Sequence, residues 1–194
     1  MITLDQKNNQ ILSSLCRNCK DPYFQPPTHL KKVGCCSYSP TFQLLELSKM
    51  CTLDQAQFNL IYNHPDAIIH PYSITVKAAI DPSHDEVKHS SSLTQLERDD
   101  LELSYSVCQF FEDRKGCSLQ PSFKNAVCRS FICSTIEDSL PNRDKASVQS
   151  WTKNIHTQSK EFQHTHEQAL LHLGIDLISS PKKVIHYFQA LAKE

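Results

Sequence analysis

Glycine is scarce in this chain: three residues in 194, Gly34, Gly116 and Gly174, each far from the others. Phosphate-cradling loops and dinucleotide fingerprints need two or three glycines within about seven residues. Kinase, NTPase and ordinary dehydrogenase readings therefore fall away. A long hydrophobic run is also missing: no stretch of eighteen apolar residues occurs, and the first residues, Met1 to Asn9, are too polar for a signal peptide. These two features predict a cytosolic chain with no membrane partner. An excess of charge of one sign is lacking as well. Lys and Arg number 20 against 21 Asp and Glu, a formal charge of −1, which supplies no long-range attraction for nucleic acid or an anionic surface.

Apolar residues make up 39% of the chain, mean hydropathy is −0.42, and the length suits one domain, or one domain with an appended helical tail. Leu4, Ile11, Leu12 and Leu15 predict a helix over about 4–15, with Thr3 as its cap, delivering Cys16 at its end. Residues 17–38 hold three prolines and Gly34 without a sustained period, and read as a long loop that needs tying down. Ser39-Pro40 predicts a helix start, with Phe42, Leu44, Leu45 and Leu47 on its apolar face. Thr52 predicts the cap of a second helix bearing Leu53, Ala56, Leu60 and Ile61. Residues 72–80 partly alternate and predict one strand, and 81–92 a polar surface connection.

Ser92 is the expected cap of a helix that turns Leu93, Leu96 and Leu101 to the core and its acidic run, Glu97 to Glu102, to water. Residues 107–111 and 117–119 predict a hairpin turning at 112–116 that brings Cys108 and Cys117 together. Trp151, Ile155, Phe162, Ala169 and Leu173 form the expected stripe of a helix ended by Gly174. A last helix starts at Ser180-Pro181 and carries Val184, Ile185, Tyr187, Phe188 and Leu191. The fold class expected is mainly α, with cysteine-rich loops and a small β-hairpin: a metal-clamped domain over 1–140 and a helical extension over 141–194.

Nine cysteines are the strongest signal. In a reducing compartment clustered thiols serve as metal ligands or redox groups more than as a disulfide framework. One group holds Cys16, Cys19, Cys35 and Cys36, and a second holds Cys108, Cys117, Cys128 and Cys133. Two cysteines separated by two residues, as in Cys16-Arg-Asn-Cys19, wrap one ion or one cluster corner from a single turn. Adjacent side chains in extended backbone point to opposite faces, so Cys35 and Cys36 are not expected to share one atom in a regular conformation. Cys51 stands apart from both groups and reads as a small buried hydrophobe.

The order Cys16/Cys19, Cys35-Cys36, Cys108-Gln-Phe-Phe111, Cys117-Ser-Leu119 and Cys128-Arg-Ser-Phe-Ile-Cys133 resembles the YkgJ family of zinc- or iron-chelating domains across roughly 15–135. A similar cysteine pattern occurs in the lysine N-methylase of flagellin. Where that family commonly has Arg-Pro before its Cys-Arg step, this chain has Asn125-Ala126-Val127.

The resemblance implies a cysteine-held metal centre. Thiolates suit zinc and iron–sulfur clusters alike, and either a zinc ion or a four-iron cluster takes four of the eight thiols. The irregular spacing leans toward the 4Fe-4S cluster. An enzyme reading, protein modification resembling the lysine N-methylase, rests on the resemblance alone, because no binding motif for a methyl donor is present. A third reading is an interaction module whose C-terminal helices meet a protein partner.

His164 and His166 lie on opposite sides of a helix, and His166 reads as a core-edge histidine with a satisfied hydrogen bond. No nucleophile-elbow sequence supports a catalytic triad. Arg129, beside Cys128, is expected either to lower a thiol pKa or hydrogen-bond a cluster sulfur, or to lie on the surface.

Overall fold

The expected first helix is a β-hairpin. In the computed structural model, which describes residues 2–14, 26, 28–30, 33–87, 93–112 and 115–193, strands β1 (Ile2–Asp5) and β2 (Gln10–Ser13) pair antiparallel with Leu4 opposite Ile11. Asp5 builds the turn: its carboxylate accepts from Lys7 N at 3.0 Å, Asn8 N at 3.3 Å and Asn8 Nδ2 at 2.6 Å. Asn9 takes φ +48°, the left-handed region that asparagine tolerates. The seven-residue spacing of Leu4 and Ile11 is thus a cross-strand pairing and not two turns of helix.

The centre of the fold is a three-stranded antiparallel sheet in the order β3 (Thr41–Gln43), β5 (Ser73–Val76), β4 (Ala67–His70). Residues 41–43 pair with β5, Phe42 opposite Ile74, so the next helix, α1 (Leu44–Leu53), begins after them and not at Ser39-Pro40. Its N-cap is Gln43, whose N–H donates to the Glu46 carboxylate at 3.1 Å. Leu44 N–H donates to Gln163 Oε1 at 2.8 Å, and Gln163 Nε2 donates to the Tyr72 carbonyl at 3.2 Å. One side chain thereby satisfies an orphan amide of α1 and ties it to the sheet.

Helix α2 (Gln55–Tyr62) is capped by Asp54, which accepts from Gln57 N at 3.2 Å. The predicted cap, Thr52, lies inside α1 and bonds back to the Ser48 carbonyl at 2.9 Å. Cys51 also lies in α1 and is buried, as expected, and burial pushes its thiol up to about 12.

Strands β6 (Ala79–Ile80) and β7 (Ser106–Val107) pair across a connection that holds the short helix α3 (His84–Val87) and α4 (Gln95–Ser104). Thr94 and Glu97 close a capping box on α4; the predicted cap, Ser92, lies outside the described residues. None of α4 is buried and Leu96 is 71% exposed, so its leucines do not face the core as predicted. Its acidic run is solvated, as expected. The predicted hairpin is shorter than expected: β8 (Phe111–Glu112) pairs with β9 (Gly116–Cys117), and Gly116 takes φ +87°.

After a 3-10 turn at Pro121–Phe123 come α5 (Ala126–Ser130), α6 (Ser134–Ser139), α7 (Asn142–Leu173) and α8 (Pro181–Leu191). Helix α7 starts at Asn142, ahead of Trp151, and Gly174 ends it in the left-handed region at φ +64°. Its buried stripe is Val148, Ile155, Ser159 and Leu170, while Leu173 lies off the stripe at 56% exposed.

Leu170, Leu177, Val184 and Phe188 join the same hydrophobic cluster as Phe42 and Met50. A second, smaller cluster seats Ile11 of the hairpin on Val148 and Ile155. Mainly α with small antiparallel sheets is therefore the class observed. Among the described residues no helix is long and apolar enough to cross a membrane.

Candidate functional site

Of the eight candidate ligands, Cys16 and Cys19 lie outside the described residues, as does the side chain of Cys35. The other five each sit on a different element or connection. Cys36 occupies a 3-10 turn, Gly34–Ser37, that Gly34 enters at φ +58°. This turned backbone replaces the extended one on which opposite faces were predicted for Cys35 and Cys36. Cys108 follows β7, and its carbonyl accepts from Phe111 N at 2.9 Å in the turn into β8. Cys117 ends β9 opposite Phe111. Cys128 lies in α5, and Cys133 is the residue before α6. All five are half-buried.

Two of these pieces touch through backbone. The Cys108 N–H donates to the Cys36 carbonyl at 2.7 Å, joining the two cysteine groups across 72 positions of sequence. A third is drawn in by Tyr38, whose hydroxyl lies 2.9 Å from Cys128 Sγ and 3.1 Å from Asn125 Oδ1. Asn125 Oδ1 only accepts, so the phenolic hydrogen goes there and the Tyr38 oxygen accepts from the Cys128 thiol. Burial pushes the phenol well above its ordinary value, and the Cys128 and Cys108 sulfurs beside it add to that shift. Tyr38 therefore stays a neutral hydroxyl.

Asn125 holds this arrangement together. As the N-cap of α5 it accepts from Cys128 N at 2.8 Å, and its Nδ2 donates to the Thr41 carbonyl of β3 at 3.0 Å. Among the described residues no three His, Cys, Asp or Glu side chains come close enough to hold a metal ion together. Thiols are donors of the kind that zinc and iron–sulfur clusters take, but the described cysteines do not gather into such a group.

Arg129 overturns its surface reading. It is fully buried, and its donors go to the Lys124 carbonyl at 3.0 Å, the Asn9 carbonyl at 3.5 Å and Glu46 Oε1 at 3.3 Å. It is not a surface residue; it clamps the first hairpin to α1 and α5. Glu46, equally buried, has its carboxyl pushed up by burial and drawn back in part by Arg129.

His166 matches its expectation. Its Nδ1 lies 2.8 Å from the Tyr187 hydroxyl, its ring packs on Phe162 at 4.1 Å between centroids, and burial holds its pKa below the ordinary value.

The residues that sequence reasoning missed are Tyr38, Asn125 and Glu46. Asn125 carried a signal, an N-cap amino acid three positions before Cys128. Tyr38 and Glu46 carried none, because their partners lie 80 to 90 positions away.

Two serine–histidine pairs stand at 2.9 Å among the described residues, His29 with Ser83, whose hydroxyl donates to the Asp81 carboxylate, and His156 with Ser130. The Ser130 hydroxyl spends its hydrogen on the Ala126 carbonyl at 2.8 Å. His156 Nε2 must therefore donate to Ser130, the reverse of the base that nucleophilic activation requires.

Comparison of the chain with protein-family models, with curated proteins and with solved structures gave no match.

Proposed function

We propose that this chain is a metal-binding protein in which cysteines from both groups chelate zinc or an iron–sulfur cluster. What supports the reading most is the bond from Cys108 N–H to the Cys36 carbonyl, which draws two thiol-bearing loops together from distant parts of the sequence. The resemblance to the YkgJ family supports the same reading. Cys36, Cys108, Cys117, Cys128 and Cys133 are the ligands proposed from the described residues. The rest would come from Cys16, Cys19 and Cys35. Bound metal would link segments distant in sequence, and in thiolate sites that link is also folding free energy. Ligation would remove the Cys128 proton and leave its sulfur able to take the Tyr38 hydrogen in place of Asn125 Oδ1, an outer-shell bond of the kind that orients a ligand.

Elemental analysis and an absorption spectrum of anaerobically purified protein test this reading. Several irons per chain with absorption near roughly 400 nm indicate a cluster, and about one zinc without colour indicates a zinc site. Cys117→Ser and Cys128→Ser are each expected to lower metal content and melting temperature together. If both variants match the parent in both measurements, the proposal is wrong.

A further inference from the structure

A cleft of about 330 Å³ opens beside the Tyr38–Cys128 pair, between β3, the start of α1, α5 and the middle of α7. Its wall is unbalanced in hydrogen-bonding chemistry. Its side-chain acceptors on Glu46, Asn125 and Gln43 are already engaged. The Glu46 oxygens take Arg129 and the Gln43 N–H, Asn125 Oδ1 takes Tyr38 and the Cys128 amide, and Gln43 Oε1 takes the Ser159 hydroxyl at 3.1 Å.

Donors are left over. The Ser39 oxygen accepts from Ala78 N at 2.9 Å, and its own hydrogen has no partner among the described residues. Gln43 Nε2 and the Lys160 ammonium also have none among them, and Lys160 stands exposed on α7 at the rim. Every fully buried side-chain nitrogen and oxygen among the described residues has a partner, so the Gln43 and Lys160 nitrogens lie where solvent or a ligand reaches them. The cleft's single carboxylate is neutralised by Arg129. One unpaired cation with two neutral donors matches a planar monoanion better than a dianion. Ala126 and Val127 add an apolar wall for a short carbon body. The volume lies at the small end of ligand sites, which run from roughly 300 Å³ upward.

We propose that this cleft binds a small carboxylate-bearing molecule, its carboxylate held by Lys160, Gln43 and Ser39 and its body against Ala126 and Val127. The proposal does not rest on the metal reading, since none of these residues belongs to the thiol set.

Benzoate and benzamide, nearly equal in shape and different in charge, test it on the full chain as purified. Ligand-observed NMR titrations are expected to give saturable binding of benzoate, at least about tenfold weaker binding of benzamide, and loss of benzoate binding in Lys160→Glu. Lys160→Arg is expected to retain it. The lysine side chain is exposed, so the folded state of both variants is readily checked by circular dichroism.

Four results would each overturn the proposal: equal binding of the two probes, tighter binding of inorganic phosphate than of benzoate, benzoate binding unchanged in Lys160→Glu, or no benzoate saturation up to roughly 10 mM. Running the titration before and after chelation separates this outcome from the metal question. Loss of metal content in the cysteine variants with benzoate binding intact leaves the cleft standing, and the converse removes it alone.

Discussion

Arg129 and Glu46 form an ion pair with no exposed surface on either side chain. A buried pair of this kind returns little net stability compared with apolar residues of the same volume, yet removing one partner strands the other charge. Arg129→Met is therefore expected to cost about 3–5 kcal/mol in urea denaturation. Adding Glu46→Gln, which keeps an acceptor near the Gln43 N–H, is expected to recover part of that loss. A single arginine substitution with no effect would mean the pair contributes nothing to the fold. The chemistry of this neighbourhood was only half legible in the sequence. The cysteines announced themselves by spacing, whereas Arg129, Tyr38 and Glu46 depend on partners more than 80 positions away, and no local pattern encodes such a pairing.

Helices and turns were readable where one segment carries its own instructions. Helix α8 with its proline start at Pro181, the body of α7 and its stop at Gly174 needed only periodicity and caps, whereas the start of α7 at Asn142, without a side-chain cap, was not legible. The first hairpin was misread because a leucine and an isoleucine seven apart satisfy a helix and a five-residue-long reversal alike. The deciding signal was the turn itself, Asp5 to Asn9, where a carboxylate collects three N–H groups from two residues.

Those bonds, the one from the Asn8 side chain first, hold the Asp5 carboxyl below its ordinary value of 3.8. The unfolded chain then binds the proton more readily than the folded one. The Asp5 contribution is accordingly complete above the ordinary value and is lost as pH falls through the depressed one. Following the Lys7 and Asn8 amide resonances from roughly pH 5 to pH 2 is expected to show the hairpin loosening only in the acid half. In Asp5→Ala it should be loosened throughout and lack that acid transition.

At the level of the whole molecule, the division expected near residue 140 meets a core that runs across it. Leu170, Leu177, Val184 and Phe188 pack in one cluster with Phe42, Leu44 and Met50. A chain of residues 1–140 would leave those side chains facing water. Deleting residues 141–194 is expected to abolish cooperative thermal unfolding and leave an NMR spectrum without dispersed methyl signals. A well-folded product would make the last two helices a separable unit. Sequence patterning supplies each helix's apolar stripe but does not say which stripe meets which, and the stripe on α7 is split between the two clusters.

Gln163 gives this arrangement a direction in time. Its amide serves the first turn of α1 and the carbonyl of Tyr72 at once, from 119 and 91 positions away. A chain made from its amino terminus folds the earlier part first wherever it can. Here the opening amide of α1 waits for a residue synthesised long after it. The central sheet and α1 must therefore pass through synthesis with one polar group unanswered and one face uncovered, which makes the nascent chain, more than the finished one, the state that a chaperone would hold.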